Sequence, residues 1–139
     1  MPPEKQALRH RILIVDDEES TRLLLARLIS QELSADAQLA GTCEQALRLA
    51  ASGTYDAILL DLMMPGIGGL AVLKAIRAAS GNAATPIIVV SILGDAAMIE
   101  QCMNAGANAY HVKPVRRAEL VAMVKAQLAE RHKSKISAN

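Results

Sequence analysis

The chain has 139 residues, 52% of them hydrophobic, and this length fits one domain with a single aliphatic core. It contains no Phe, no Trp and two Tyr, so the aromatic walls that commonly grip flat ring-shaped ligands are scarce. The net charge of +1 argues against nucleic acid or an anionic membrane as a bulk electrostatic partner.

The remaining composition indicates a soluble, cytoplasmic protein. The first ten residues are polar and contain two prolines, unlike a signal peptide, and no run approaches the ~20 apolar residues of a membrane span. Cys43 and Cys102 lack any metal-ligand spacing. We interpret them as reduced, packed thiols, with a redox role as the alternative.

Short apolar runs alternate with longer amphipathic stretches along the chain. The pattern predicts strands at 12–15, 37–40, 57–60, 86–90 and 109–112, and helices at 19–32, 43–51, 70–79, 95–105 and 116–131. One proline and three glycines at 64–69 predict a loop. This βα alternation, repeated about five times, predicts one α/β domain with a parallel sheet covered by helices on both faces. The strands are continuously apolar, as strands buried on two faces should be.

Polar side chains follow the predicted strands at the points where they end. They are Asp16 and Asp17 after the first strand, Asp61 after the third, Ser91 after the fourth and Lys113 after the fifth. Each has an ordinary explanation as a helix-start charge, a turn residue or a surface group. Because the carboxyl ends of parallel strands meet at one edge of the sheet, we expect all five to lie close together.

Three carboxylates at one place repel one another unless a cation or a proton compensates. A hard divalent ion with oxygen ligands is the natural solution, and Mg²⁺ suits a few carboxylates plus retained waters. A carboxylate beside such an ion, with an ammonium and a hydroxyl opposite, is arranged for phosphoryl transfer. In that reaction the carboxylate is the nucleophile, and the metal and the ammonium neutralise charge on the phosphoryl oxygens.

Four segments resemble the receiver domain of two-component response regulators: 12–18, 56–66, 88–91 and 106–114. The intervals between them look like those of the family. The resemblance covers about residues 9–131, which we take as the receiver domain, and leaves 1–8 and 132–139 as flexible termini. It implies a flavodoxin-like, doubly wound fold with five helices and a five-stranded parallel sheet in the order 2-1-3-4-5.

The resemblance also implies a role for each of the three aspartates that follow the first and third strands, Asp16, Asp17 and Asp61. Asp61 would accept the phosphoryl group from a sensor histidine kinase or a histidine phosphotransfer protein. Mg²⁺ would be bound directly by Asp17, by Asp61 and by the Met63 backbone carbonyl, with Asp16 acting through water.

Further roles follow from the same resemblance. Lys113 would pair with the phosphoryl oxygens, and its bond to Pro114 would be cis. Ser91 and Tyr110 would form the switch pair. Phosphorylation would draw the Ser91 hydroxyl towards the phosphate, and the aromatic ring would turn inward to fill the vacated space.

Three apolar residues bear on how the site is tuned. Ile92 follows Ser91 where the family commonly carries a small residue, so it is predicted to crowd the site and hinder small phosphodonors. Met63 and Leu93 stand where the family tunes dephosphorylation. Apolar side chains there would position an attacking water poorly, which predicts a long-lived phosphoryl state. The alternative is that all three merely cap the core.

By resemblance, the signal leaves through helix 95–105, strand 109–112 and helix 116–131. The first of these helices has more apolar residues than one inward stripe requires. This surface is predicted to bind a downstream effector or a covalently linked output domain, or to form a homodimer. An Ala-rich surface on a deeper-tilted helix is the alternative. The basic run at 131–135 is interpreted as solvated helix-end charge or the start of a linker, so no direct contact with nucleic acid is expected.

Three other functions compete with this one. A degenerate receiver that is never phosphorylated, acting as a protein-binding scaffold, has Ile92 as its only support. Phosphatases with an aspartyl-phosphate intermediate commonly carry a second Asp two residues after the nucleophile, where this chain has Met63 after Asp61. A flavodoxin would need a hydroxyl-rich phosphate loop and aromatic walls. The chain is therefore predicted to be a signalling domain that catalyses only its own phosphorylation and dephosphorylation, not an enzyme.

Overall fold

Five parallel strands form one sheet in the structure, a computed structural model that describes residues 9–78 and 80–138, with side chains described for 9–78 and 81–131. The strands are β1 (His10–Val15), β2 (Ala35–Ala40), β3 (Ala57–Leu60), β4 (Ile87–Ser91) and β5 (Ala109–Val112). Their order is β2-β1-β3-β4-β5, and every neighbouring pair is parallel. The doubly wound sheet in the order 2-1-3-4-5 is thereby confirmed.

Five helices connect and follow the strands, as expected. They are α1 (Glu19–Glu32), α2 (Cys43–Ser52), α3 (Gly69–Ala78), α4 (Ala96–Asn104) and α5 (Arg117–Ala138), and a short 3-10 turn covers Ser80–Asn82. Within residues 9–78 and 80–138, no helix is long and apolar enough to cross a membrane.

The first two strands begin two residues earlier than hydrophobicity predicts. β1 starts at His10 and β2 at Ala35, and the ladder between them pairs His10 with Ala35 and Arg11 with Asp36. Backbone pairing does not require apolar side chains, so the polar His10, Arg11 and Asp36 can take part in the ladder although they break the hydrophobic pattern.

The final helix is also longer than the expected 116–131, since α5 continues to Ala138. The expectation of flexible termini falls partly on residues 1–8 and 139, which lie outside the described residues. For residues 132–138 it stays a prediction.

Two apolar layers explain why the strands read as unbroken hydrophobic runs. Successive β1 residues point to opposite faces of the sheet: Ile12 and Ile14 pack in the layer with α1 and α5, whereas Leu13 and Val15 pack in the layer with α2, α3 and α4. Full burial of each such side chain favours folding by about 1.5–3 kcal/mol.

The register of the ladders brings the ends of the strands to a common edge. The Asp61 N–H donates to the Val15 carbonyl (2.9 Å), and the Lys113 N–H donates to the Ser91 carbonyl (2.8 Å). Asp61 after β3 is therefore held beside the end of β1, and Lys113 after β5 beside the end of β4, by backbone hydrogen bonds.

Candidate functional site

Three carboxylates meet at the carboxyl edge of the sheet. One oxygen each from Asp16, Asp17 and Asp61 lies within 4.8 Å of the other two. Asp16 and Asp61 are 1% and 5% exposed, whereas Asp17 is exposed to solvent. The cluster therefore has a buried floor and one open side, and its donors are all oxygens of the kind that hard divalent cations prefer. These three residues could hold a metal ion.

Lys113 supplies a positive charge to this cluster. Its Nζ lies 2.8 Å from Asp16 Oδ2 and 3.3 Å from Asp61 Oδ2, and its peptide bond to Pro114 is cis. Burial acts to lower the pKa of Lys113, but its hydrogen bonds and ion pairs with the two carboxylates outweigh burial and leave the pKa raised. Lys113 is therefore protonated at neutral pH, and its half-buried ammonium pairs with two of the three carboxylates, those of Asp16 and Asp61.

Asp61 is an incompletely compensated carboxylate. Burial raises its pKa, with a further increase from Asp16, while the Met63 N–H and the Lys113 ammonium lower it, and the net direction is upward. The charged form of Asp61 is thus less favourable in the folded protein than in water. A cation bound at the cluster would reverse that balance.

Backbone amides orient the two buried carboxylates. The Glu18 N–H donates to Asp16 Oδ1 (2.9 Å), and the Met63 N–H donates to Asp61 Oδ1 (3.1 Å). Met63 follows Asp61 closely in the loop, so its backbone lies at the site. This proximity is compatible with a metal-ligand role for its carbonyl, which the sequence resemblance implies.

Ser91 and Tyr110 both reach the backbone of Leu93. Ser91 is fully buried at the end of β4, and its Oγ accepts a hydrogen bond from the Leu93 N–H (3.2 Å). Tyr110 is half-buried on β5, its hydroxyl donates to the Leu93 carbonyl, and burial raises its pKa. This shared partner could not be predicted from the sequence, because Leu93 takes part only through its main chain.

The three tuning residues have different environments. Ile92 is 62% exposed and Met63 is 49% exposed, so neither side chain caps the core. Leu93 is half-buried and packs against the layer with α2, α3 and α4. The expectation that Ile92 hinders small phosphodonors stays a prediction, as does the long phosphoryl lifetime.

One residue at the site escaped the sequence analysis. Arg22, in α1, donates from Nη1 to the Asp16 carbonyl (2.7 Å), directly behind the acidic cluster. In the sequence it is one of two arginines on the polar face of α1, and nothing there separates it from Arg27. In the structure, Arg22 differs from Arg27 because Gly41 lacks a side chain and so leaves room for the Arg22 guanidinium.

Comparisons with known proteins agree with the fold. The family model of the response regulator receiver domain matches residues 12–125. The chain belongs to this family.

Curated relatives place such domains in longer proteins. The sensory/regulatory protein RpfC of Xanthomonas campestris pv. campestris is 39% identical over 113 residues, which are 80% of this chain and 15% of RpfC. The DNA-binding response regulator MtrA of Mycolicibacterium smegmatis is 36% identical over 121 residues, which are 87% of this chain and 51% of MtrA. The chain thus spans about half of one relative and a small part of the other.

Solved structures are similar over nearly their whole length. A CheY-like receiver domain protein from Methanospirillum hungatei has a TM-score of 0.82 and 26% identity, covering 91% of this chain and 98% of that one. The receiver domain of sensor histidine kinase PA1611 from Pseudomonas aeruginosa has a TM-score of 0.79 and 29% identity, covering 87% and 98%. The latter was solved with a magnesium ion coordinated in its active site cleft.

Proposed function

We propose that this domain is switched by phosphorylation, with Asp61 accepting a phosphoryl group from a sensor histidine kinase or a histidine phosphotransfer protein. The observation that carries the proposal is the group of three carboxylate oxygens within 4.8 Å of one another, joined by the Lys113 ammonium. Such a surplus of negative charge costs folding free energy unless it serves to bind a cation.

The cation that fits this donor set is Mg²⁺, which takes oxygen ligands and keeps several waters. Asp17, Asp61 and the Met63 carbonyl would bind it directly, and Asp16 would act through water. Bound there, the ion would neutralise charge on the phosphoryl oxygens during transfer. The magnesium ion in the PA1611 receiver supports the assignment.

The side chains of the chain itself would then perform the transfer. Asp61 attacks phosphorus, and its new O–P bond forms as the P–N bond of the donor phosphohistidine breaks. Lys113, already 3.3 Å from Asp61 Oδ2, pairs with a phosphoryl oxygen and balances its charge. The domain would likewise catalyse its own dephosphorylation by admitting water to the same site.

The switch would start from the hydrogen bonds to Leu93. The Ser91 hydroxyl turns from the Leu93 N–H towards the phosphoryl group, and Tyr110 leaves the Leu93 carbonyl and turns inward. These moves alter the surface formed by α4, β5 and α5. That surface suits a partner because α4 buries only Cys102 among its nine residues.

The partners of that surface belong to the proposal as well. They are a downstream effector protein, a covalently linked output domain or a second copy of this domain. The names of MtrA and RpfC are compatible with receivers linked to other domains. We also propose a cytoplasmic location, and the free, buried Cys43 and Cys102 suit a reducing compartment.

The test is the intact mass of the protein after incubation with Mg²⁺ and a phosphorylated histidine phosphotransfer protein or an acyl phosphate. We expect one added phosphoryl group, lost with a chelator and in Asp61→Asn. Asp56→Asn is the matched control, since Asp56 precedes the same strand and accepts a hydrogen bond from the Arg11 N–H at 2.7 Å. The scaffold function would replace this proposal if no donor adds mass and beryllofluoride does not bind.

A further inference from the structure

The guanidinium of Arg22 fills a space beside Gly41. An alanine Cβ built at Gly41 would lie 2.8 Å from Arg22 Nη1, closer than real contacts allow, and 3.1 Å from Cζ. From that position Nη1 donates to the Asp16 carbonyl at 2.7 Å. Arg22 therefore links the loop after β1 to the loop after β2.

The loop held in this way carries two of the three clustered carboxylates. The Asp16 N–H already donates to the Ala40 carbonyl (3.1 Å), and Asp16 Oδ1 accepts from the Glu18 N–H (2.9 Å). The Arg22 N–H donates to the Glu18 carbonyl (3.0 Å). Because the Arg22 guanidinium also binds the Asp16 carbonyl, Asp16 is held by hydrogen bonds at its amide, its carbonyl and its side chain. These bonds fix the turn between β1 and α1.

We propose that Arg22, seated on Gly41, is a positioning residue for the metal site. Its hydrogen bond to the Asp16 carbonyl holds the turn so that Asp16 and the exposed Asp17 face Asp61. This inference rests on the proposed magnesium site. Groups that orient metal ligands typically change metal affinity by about 10–100-fold when removed.

Electrostatics and positioning predict opposite effects for the loss of Arg22. Removing a positive charge near the cluster would by itself strengthen the binding of a cation. Loss of the hydrogen bond would let the turn relax and weaken binding. Weaker Mg²⁺ binding in Arg22→Met can therefore come only from lost positioning.

The first test is calorimetric titration of the full chain with Mg²⁺. We expect Arg22→Met to raise the dissociation constant about tenfold. Arg27→Met removes the same charge from an exposed position of the same helix, and should leave the constant unchanged or lower it. An affinity in Arg22→Met equal to or higher than that of Arg27→Met would overturn the inference. No binding to the wild type would instead overturn the proposed function.

A second variant displaces the guanidinium without changing any charge. Gly41→Ala forces Arg22 away, and the Gly41 backbone is outside the left-handed region, so alanine is strained only by that contact. We expect Mg²⁺ affinity to fall about tenfold. Gly53→Ala, at the other end of α2, is the control, because its Cβ would meet Arg11 at an ordinary 3.4 Å.

The two substitutions should not be additive. In the Arg22→Met background, Gly41→Ala has no guanidinium to displace and should add little. Fully additive effects on the dissociation constant would contradict the packing of the Arg22 guanidinium beside Gly41.

A third readout needs no metal. In metal-free protein, the Glu18 amide should exchange its hydrogen about tenfold faster in Arg22→Met, because its acceptor on Asp16 is less restrained. Amides of β3 should exchange as in the wild type. Unchanged exchange at Glu18 would overturn the positioning role whatever the metal titration shows, so the two failures are distinguishable.

Discussion

Polar side chains are buried in different ways at the carboxyl ends of the parallel strands, where the acidic cluster lies, and at their amino ends. Asn82 is the main buried polar residue at the amino ends. At the edge opposite the acidic cluster, Asn82 is fully buried. Its Nδ2 donates to the Ala50 and Gly53 carbonyls (2.6 and 2.8 Å), and its Oδ1 accepts from the Tyr55 N–H and the Thr85 hydroxyl (3.0 Å each). An amide side chain can make four hydrogen bonds, and all four are made.

Arg77 extends this satisfied network to the loop before β5. Its Nε and Nη2 donate to the Gly106 carbonyl (2.9 and 2.8 Å), Nη1 donates to the Thr85 carbonyl (2.7 Å) and Nη2 also donates to Asn108 Oδ1 (2.7 Å). Burial lowers the pKa of Arg77. The charge of the Arg77 guanidinium is nevertheless stabilised by hydrogen bonds to neutral carbonyl and amide oxygens.

At the acidic edge, by contrast, three clustered carboxylates have one half-buried ammonium beside them, which pairs with Asp16 and Asp61. Backbone hydrogen bonds orient Asp16 and Asp61 without neutralising their charge. Buried polar groups therefore have two different uses in this domain. The polar groups around Asn82 and Arg77 are fully hydrogen-bonded within the protein and stabilise the fold. The clustered carboxylates at the acidic edge keep uncompensated negative charge, which is available to bind a ligand.

The largest expected effect is at Asn82. Asn82→Ala leaves the Tyr55 N–H and two carbonyls buried without their partners, so the free energy of unfolding should fall by about 3–5 kcal/mol. Urea denaturation measures it. Asn104→Ala, at an exposed position near the end of α4, is the control and should stay within about 0.5 kcal/mol. A loss below about 1 kcal/mol for Asn82→Ala would contradict the satisfied network.

At the acidic edge, removal of a buried polar group should raise the free energy of unfolding instead of lowering it. Asp61→Asn removes a buried carboxylate whose pKa is raised, so with a chelator present the variant should be more stable than the wild type by about 1 kcal/mol. Saturating Mg²⁺ should erase this advantage, because the ion stabilises only the wild type. Urea denaturation in both buffers measures it. Destabilisation of the metal-free variant would show that the carboxylates are already balanced.

A buried histidine on β5 gives a smaller, pH-dependent effect. His111 is fully buried, and its Nε2 accepts from the Arg116 N–H (3.1 Å). Burial lowers the pKa of His111, with Arg116 adding to that effect and Glu119 opposing it. The folded protein thus binds a proton less readily than the unfolded chain.

The sign of the pH dependence follows from this difference. Stability should fall as pH drops through the unfolded value of about 6.5 towards the lower folded value, because the unfolded state then gains a proton. Denaturation midpoints between pH 5 and 7.5 measure it. His111→Gln should flatten this slope, whereas His10→Gln, at a partly exposed position, should keep it. A slope unchanged in His111→Gln would refute the assignment.

The smallest effect on stability is expected at Ile92. The side chain is largely exposed, so Ile92→Ala should change the free energy of unfolding by less than about 0.5 kcal/mol. If Ile92 crowds the phosphorylation site, the same variant should react several times faster with an acyl phosphate, which intact-mass kinetics measure. Met103→Ala, at another exposed apolar position, is the control and should leave that rate unchanged.

What the sequence could predict depends on which atoms make the contact. The apolar runs predicted the strands, and the chemistry at their ends predicted the acidic edge, because both reside in side chains and in the order of the chain. The seat of Arg22 on Gly41 and the partners of Asn82 could not be predicted, since they involve backbone atoms that meet only in the folded protein. The early starts of β1 and β2 escaped for the same reason.

The two tyrosines report on the two edges, and this permits the most direct test of the central claim. Tyr55 is buried and its N–H is bound to Asn82, whereas Tyr110 is half-buried near the acidic edge. In fluorotyrosine-labelled protein, Mg²⁺ with beryllofluoride should shift the Tyr110 fluorine resonance and leave that of Tyr55 in place, and a chelator should reverse the shift. No shift at saturating Mg²⁺ and beryllofluoride would contradict a phosphorylation switch at Asp61.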